Sequence, residues 1–227
     1  MKNAIVLCSG GIDSVTTAYY VKKRLHYNKI LIIFFDYGQR TIKQERKASK
    51  DCANNISAEF NEIQLRWLSA ISNSLINKEE NKKFNKNLKD TKEESMSYYV
   101  PCRNSIFLTY ALAFAESHFI KNKEKCDIFV GFKCEGQEHY PDTTQKFVNQ
   151  MNKLSKISCS YHFLVKAPLI KKDKEDIILL GKKLRVNFKK TFSCYVSPNK
   201  KHCGNCLACR LRKAGFYWAD VDDPTEY

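Results

Sequence analysis

The segment Ser9-Gly10-Gly11-Ile12-Asp13-Ser14 constrains this chain more than any other. It follows a short apolar run, Asn3 to Cys8. It precedes residues 14–25, where apolar groups recur at helical spacing and the last turn collects Lys22, Lys23 and Arg24. That order reads as a buried strand, a glycine turn and a helix. Two glycines permit a tight turn and let an anion approach the backbone, and the helix behind it offers unpaired N–H groups and about half a positive charge. Ser9 and Ser14 add hydroxyl donors. Asp13 is at odds with a bare phosphate site, because a carboxylate repels phosphate; a Mg²⁺ between them removes the conflict. The common P-loop is excluded, since no Gly-Lys-Ser/Thr follows, and the glycine spacing excludes the dinucleotide fingerprint.

The alternation continues along the chain. Lys29 to Phe35 is a second apolar run ending at Asp36-Tyr37-Gly38, helix signals resume over 41–54, and 59–65 reads as a third strand. Strand and helix in turn at this spacing predict an α/β fold with a parallel sheet. Further on, the pattern predicts a helix over 104–119, a strand over 126–132, a glycine-containing loop over 131–141, a helix over 143–158, a strand over 162–166 and a helix over 173–184. Residues 77–95 are nearly empty of apolar groups and read as a mobile surface loop. From 191 onward the pattern breaks into cysteine-punctuated loops. With 227 residues, 43% of them hydrophobic, the chain suits one domain of ordinary size, residues 1–188, with a small appendage, residues 189–227.

The longest strictly apolar run, Ile30 to Phe35, falls far short of the about 20 residues that a membrane span needs. The N-terminal run is too short for a signal peptide. Ten cysteines without an export signal read as free thiols plus a metal site, and point to the cytoplasm. Four of them gather near the C-terminus, where Cys203, Cys206 and Cys209 form two overlapping Cys-x-x-Cys knuckles with Cys194 upstream. Four thiolates close a tetrahedral Zn²⁺ shell, which makes a structural site. An iron–sulfur cluster takes the same ligands, a Cys-x-x-Cys pair also serves redox chemistry, and His202 is a substitute ligand at hand.

The formal net charge of +15 invites a nucleic-acid reading, but it is unevenly placed. Residues 151–213 carry 16 basic and 3 acidic side chains, whereas residues 214–227 carry none and 4. A Zn(thiolate)₄ site has a net charge of −2, so Lys200, Lys201, Arg210, Arg212 and Lys213 read partly as local compensation for it.

Taken in order, the N-terminal turn, Phe35-Asp36-Tyr37-Gly38-Gln39-Arg40, Val100-Pro101-Cys102-Arg103-Asn104, Tyr140-Pro141-Asp142, Pro168-Leu169 with Asp173-Lys174, and Ser193-Cys194-Tyr195 with Cys203-Gly204-Asn205-Cys206-Leu207-Ala208-Cys209-Arg210-Leu211-Arg212 form a recognisable series. The turn resembles the Ser-Gly-Gly-x-Asp-Ser signature of the PP-loop ATP pyrophosphatases. The whole series resembles the 7-cyano-7-deazaguanine synthase family of queuosine-precursor biosynthesis.

The resemblance implies a parallel-sheet, adenine-nucleotide α-hydrolase-like domain with a small C-terminal zinc-binding subdomain. It implies ATP, Mg²⁺ and structural Zn²⁺, and a reaction that adenylates 7-carboxy-7-deazaguanine and converts it with ammonia to the nitrile. It assigns the pyrophosphate cradle to Ser9, Gly10, Gly11 and Ser14, Mg²⁺ to Asp13, and the metal to Cys194, Cys203, Cys206 and Cys209. Arg103 and Lys174 are its candidate cationic clamps on phosphate or carboxylate. Asp36, Gln39 and Arg40, just beyond a strand's C-terminal end, are candidates for contacts to adenine, ribose or deazaguanine.

The family often forms homodimers, for which aromatics near 98–99 and 216–218 offer surface; nucleic acid is not required and no membrane is implied. One loop departs from the family pattern: Gly136-Gln137-Glu138-His139 precede Tyr140-Pro141-Asp142, and Thr143-Thr144 stand where Cys-Arg is common. An offshoot that passes the activated acid to another amine, including one on a protein, is the alternative this leaves, with a PP-loop tRNA-modifying enzyme behind it.

Overall fold

The computed structural model describes residues 2–80, 87–133, 140–197, 199 and 201–227. Five parallel strands form one sheet in the order β3-β2-β1-β4-β5. The strands are β1 (Asn3–Leu7), β2 (Lys29–Asp36), β3 (Glu59–Gln64), β4 (Cys126–Val130) and β5 (Val165–Lys166). β1 pairs on both sides, with Ile5 opposite Leu31 and Ile128. Its successive side chains feed separate cores: Ile5 joins one cluster with Leu108, Leu112 and Val148, while Ala4 and Val6 join another with Ile12, Ala18, Ile177 and Phe216. Both faces are covered, which is why β1 and β2 read as continuous apolar runs rather than alternating ones. Each large aliphatic side chain sealed in this way contributes roughly 1.5–3 kcal/mol.

The helices are α1 (Ile12–Lys23), α2 (Ile42–Asn55), α3 (Trp67–Ile71), α4 (Lys92–Ser97), α5 (Arg103–Asn122), α6 (Gln145–Ser158), α7 (Lys174–Lys183) and α8 (Leu207–Trp218). The chain winds one way from β1 to β2 to β3, then crosses to β4 on the other side of β1. The gap between β1 and β4 is therefore the switch point at which open α/β sheets bind ligands.

Several expectations change. α1 begins inside the glycine turn, two residues earlier than the apolar spacing suggested. The strand expected over 162–166 shrinks to Val165–Lys166. The loop expected over 77–95 gives way at Lys92 to α4, with Glu94 and Ser95 buried. The expected loops after 191 contain a 12-residue helix, α8, whose Phe216 is 1% exposed in the sheet's core. Of the aromatics expected at the surface, Tyr98 and Phe216 are buried and Tyr99 is half-buried, whereas Tyr217 and Trp218 are exposed. The divergent stretch 136–139 lies outside the described residues. Among the described residues no helix is long and apolar enough to cross a membrane.

Candidate active site

A cavity of about 330 Å³ opens at the C-terminal ends of β1, β2 and β4. Its floor is the glycine turn. Gly10 has φ +83, and a methyl group there would stand 2.6 Å from Ala48 Cβ and 2.8 Å from the Glu45 carbonyl oxygen, so only glycine lets the turn press onto α2. Gly131, at the end of β4, lies as close to α1: a methyl group there would stand 2.8 Å from Ser14 N and Cα. No side chain caps α1, whose N-cap residue is Gly11, so its first-turn N–H groups face the site without a side-chain acceptor. Ser14 donates to the Gly11 carbonyl at 3.2 Å, and the Ser9 and Ser14 hydroxyls lie 3.3 Å apart.

Asp13 and Lys174 meet at this floor. The Lys174 ammonium donates to both Asp13 carboxylate oxygens, at 2.8 and 2.7 Å, from the first residue of α7. Arg103, at the start of α5, enters from the opposite sheet face. Its Nη1 donates to the Tyr37 hydroxyl at 3.1 Å and its guanidinium lies over the Tyr37 and Phe107 rings. Its buried Nε has no partner. Burial opposes the Arg103 charge, but Tyr37, Asp142 and Tyr195 more than offset this and raise its pKa. Desolvation pushes the Tyr37 hydroxyl up to about 12, against the pull of Arg103. Burial also raises the pKa of Glu45, which accepts from Thr41 and Gln39. The cavity thus joins an uncapped helix N-terminus, the basic side chains of Arg103, Lys133, Lys174 and Arg212, and an apolar, aromatic wall that includes Phe35, Tyr99 and Tyr140.

Ser9, Gly11, Asp13, Ser14, Arg103 and Lys174 all line this cavity. Gly10 lies just behind its floor, where its carbonyl accepts from Phe192 N at 2.9 Å. Asp36, Gln39 and Arg40 are not among the lining residues, because their side chains are engaged elsewhere. Asp36 accepts from Arg66 Nε at 2.8 Å and from Gly38 N at 3.2 Å. The Gln39 amide ties Tyr37 N, the Phe35 carbonyl and Glu45 together. Arg40 pairs with Glu79 at 2.9 Å. These residues brace the wall that Tyr37 presents. Sequence reasoning gave no role to Asp142, which is 7% exposed, lines the cavity and accepts from Asn104 N at 3.3 Å. The Tyr140-Pro141-Asp142 series was its only signal. Glu45 had none, because a lone acid in a helical pattern reads as solvated.

The four C-terminal cysteines converge. The Sγ atoms of Cys194, Cys203, Cys206 and Cys209 lie within 4.8 Å of one another, with two of the pairs at 3.9 Å. A tetrahedral ion with bonds of about 2.3 Å sets its sulfurs about 3.8 Å apart, so the set fits one zinc-sized ion. In a cubane cluster each iron carries its own outward thiolate, which spreads the sulfurs further. Backbone N–H groups of Ser197 and Cys203 point at Cys194 Sγ, and those of Asn205 and Cys206 at Cys203 Sγ, at 3.2–3.5 Å, the outer shell that a thiolate site needs. His202 is not one of the four; its Nε2 accepts from Ser193 N at 2.9 Å.

The local cations are only partly compensation for the thiolates. Arg210 forms a bidentate pair with Glu94 at 2.5 and 3.2 Å, Arg212 pairs with Asp223, and Lys201 with Glu226.

The family profile of the queuosine biosynthesis protein QueC matches residues 3–220. A 7-cyano-7-deazaguanine synthase of Methanobrevibacter smithii is 34% identical over 100% of this chain and 98% of its own. One of Methanosphaera stadtmanae is 36% identical over 99% and 97%. Among solved structures, an NMN synthetase from Francisella tularensis superposes with TM-score 0.51 at 14% identity, covering 97% of this chain and 78% of that one, a likeness of fold. The cradle at the switch point, the terminal thiolate set and this full-length match agree, and the chain belongs to the QueC family of ATP-dependent synthases.

Proposed function

We propose that this protein makes 7-cyano-7-deazaguanine from 7-carboxy-7-deazaguanine, ammonia and ATP. The observation that carries the reading is one cavity lined by the Asp13–Lys174 pair at an uncapped helix N-terminus and by Arg103 within an aromatic wall able to hold a flat heterocycle. A carboxylate is a poor electrophile. Its oxygen attacks the α-phosphorus of ATP, pyrophosphate leaves, and an acyl-adenylate forms. Ammonia then displaces AMP to give the amide. Adenylation of the amide oxygen by a second ATP releases pyrophosphate again, and loss of AMP and the remaining amide protons leaves the nitrile.

In this reading the turn of Ser9, Gly10, Gly11 and Ser14 receives the departing pyrophosphate, whose charge the helix N-terminus favours. Lys174 neutralises charge at the α-phosphate, and Arg103, stacked and unsatisfied at Nε, orients the acid. Asp13 would hold the Mg²⁺ that accompanies ATP, which supplies charge neutralisation. Cys194, Cys203, Cys206 and Cys209 would hold Zn²⁺ structurally. The protein acts in the cytoplasm as a homodimer, to which the exposed Tyr217 and Trp218 at the end of α8 lend support.

A second reading rests on Thr143 and Thr144. Both line the cavity but spend their hydroxyls locally, on the Tyr140 carbonyl and as the cap of α6, so no cation stands where the family commonly has one. There the acyl-adenylate passes to another amine and the reaction ends at the amide. Mass spectrometry of the products separates the two. Nitrile with AMP and pyrophosphate is expected from ammonia. AMP without nitrile, together with an amide on an added protein, overturns the first reading in favour of the second, and tRNA-dependent AMP release overturns both.

A further inference from the structure

Lys174 is held from beneath by a glycine. Its side chain is 17% exposed and its ammonium reaches Asp13. The aliphatic stem in between lies on Gly215 of α8. A methyl group at Gly215 would stand 2.2 Å from Lys174 Cγ, 3.0 Å from Lys174 Cβ and 3.0 Å from Ile178 Cδ1. Carbon atoms touch at about 3.5–4.0 Å, so the stem occupies the space that any side chain at 215 would need. Gly215 is otherwise an ordinary helical residue, with φ outside the left-handed region. Alanine is the better helix former at such a position, so nothing in α8 itself requires glycine.

The other end of α8 is tied to the cysteines. Cys206 is its N-cap and Cys209 lies in its first turn. Between Cys206 and Gly215 the helix gives Leu207, Ala208 and Leu211 to the cavity wall. It also carries the fully buried Arg212, which donates to Thr191 Oγ1 at 2.9 Å and Ser193 Oγ at 3.2 Å and so fixes the strand of chain that crosses the Gly10 carbonyl. A rigid helix anchored at one end therefore meets the lysine at the other.

We infer that Gly215 is a positioning residue for Lys174, and that the close packing of α8 beneath the lysine stem sets that ammonium over Asp13. The inference rests on reading the glycine turn with Asp13 and Lys174 as the pyrophosphate end of the site. Its test measures binding of inorganic pyrophosphate with Mg²⁺ by calorimetry, on the full chain with its metal bound, for wild type, Gly215→Ala, Lys174→Ala and the double variant. Binding by wild type supports the underlying reading; no binding by wild type overturns that reading and the inference with it. Gly215→Ala is expected to weaken binding at least tenfold with metal content unchanged, and the double variant to bind no more weakly than Lys174→Ala, because the displaced group is already gone. Wild-type affinity in Gly215→Ala, or a loss that multiplies in the double variant, overturns the inference while leaving the site reading intact. If Gly215→Ala alone does not fold, the double variant decides. Recovery of soluble, metal-loaded protein places the clash at the lysine stem, and no recovery overturns the inference.

Discussion

Lys174 and Asp13 neutralise each other across the floor of the cavity, and single residues of this kind carry the sharpest consequences. Asp13→Asn keeps the shape of the carboxylate and removes its charge, and turnover is expected to fall at least a hundredfold in steady-state assays. Arg103→Lys keeps a charge but loses the flat face that lies over Tyr37 and Phe107, so at least a tenfold loss in kcat/KM for the deazaguanine acid is expected in steady-state assays. Glu94 is a different case. Its side chain is 5% exposed and bonded at both oxygens to Arg210, whose Nε already lacks a partner. Glu94→Gln takes the carboxylate from the half-buried Arg210 and leaves it the Asn205 carbonyl, and by the usual cost of about 1–3 kcal/mol for a stranded polar group a fall in Tm of roughly 5 °C is expected by calorimetry. Asp13 and Arg103 were legible in the sequence because each sits at a strand-to-helix or turn-to-helix junction beside glycine or proline. Glu94 was not, because its partner is 116 residues away and its own neighbourhood, Lys92-Glu93-Glu94, reads as solvated charge.

Among the elements, α8 does the most with the least warning. Its apolar positions were hidden by Cys206 at the N-cap, Cys209 in the first turn and three basic residues, so periodicity failed where the metal ligands took over the helix's start. The strands were legible for the opposite reason: both faces of β1 and β2 are covered, so their residues are apolar without interruption. β5 was overestimated because only two of its residues pair with β4. The position of α8 makes the cysteine site a part of the fold rather than an accessory. Cys206→Ser removes one ligand while placing a good N-cap residue at the start of α8, so the expected loss of most bound metal, large fall in Tm and exposure of Phe216's core contacts, read by metal analysis and thermal melting, come from the ligand alone. Retention of metal and Tm in that variant would separate the cysteines from the stability of α8. The glycine turn proposed to bind phosphate was legible because turn chemistry is local; the aromatic wall was not, since Tyr37, Phe107 and Tyr140 come from three distant segments.

For the whole molecule, the net charge of +15 loses much of its message once the chain is folded. The acidic C-terminal residues return to the basic segment before them: Asp223 pairs with the fully buried Arg212, and Glu226 with Lys201. Burial pushes the Asp223 carboxyl up, but the Tyr227 hydroxyl and Arg212 outweigh it and its pKa is lowered. A lowered carboxyl contributes stability that is complete above its unfolded pKa of about 3.9 and is lost as pH falls through the folded value. The difference in Tm between wild type and Asp223→Asn is therefore expected to be full at pH 7 and to narrow below about pH 4. What remains of the positive charge includes Arg103, which faces a cavity sized for small anions. The central claim, that this cavity activates a carboxylate by adenylation, is tested most directly with 7-carboxy-7-deazaguanine labelled with ¹⁸O in its carboxylate. With ATP, Mg²⁺ and ammonia, the label is expected in AMP, one ¹⁸O for each AMP and two AMP for each nitrile. Unlabelled AMP, or ADP in its place, would contradict it.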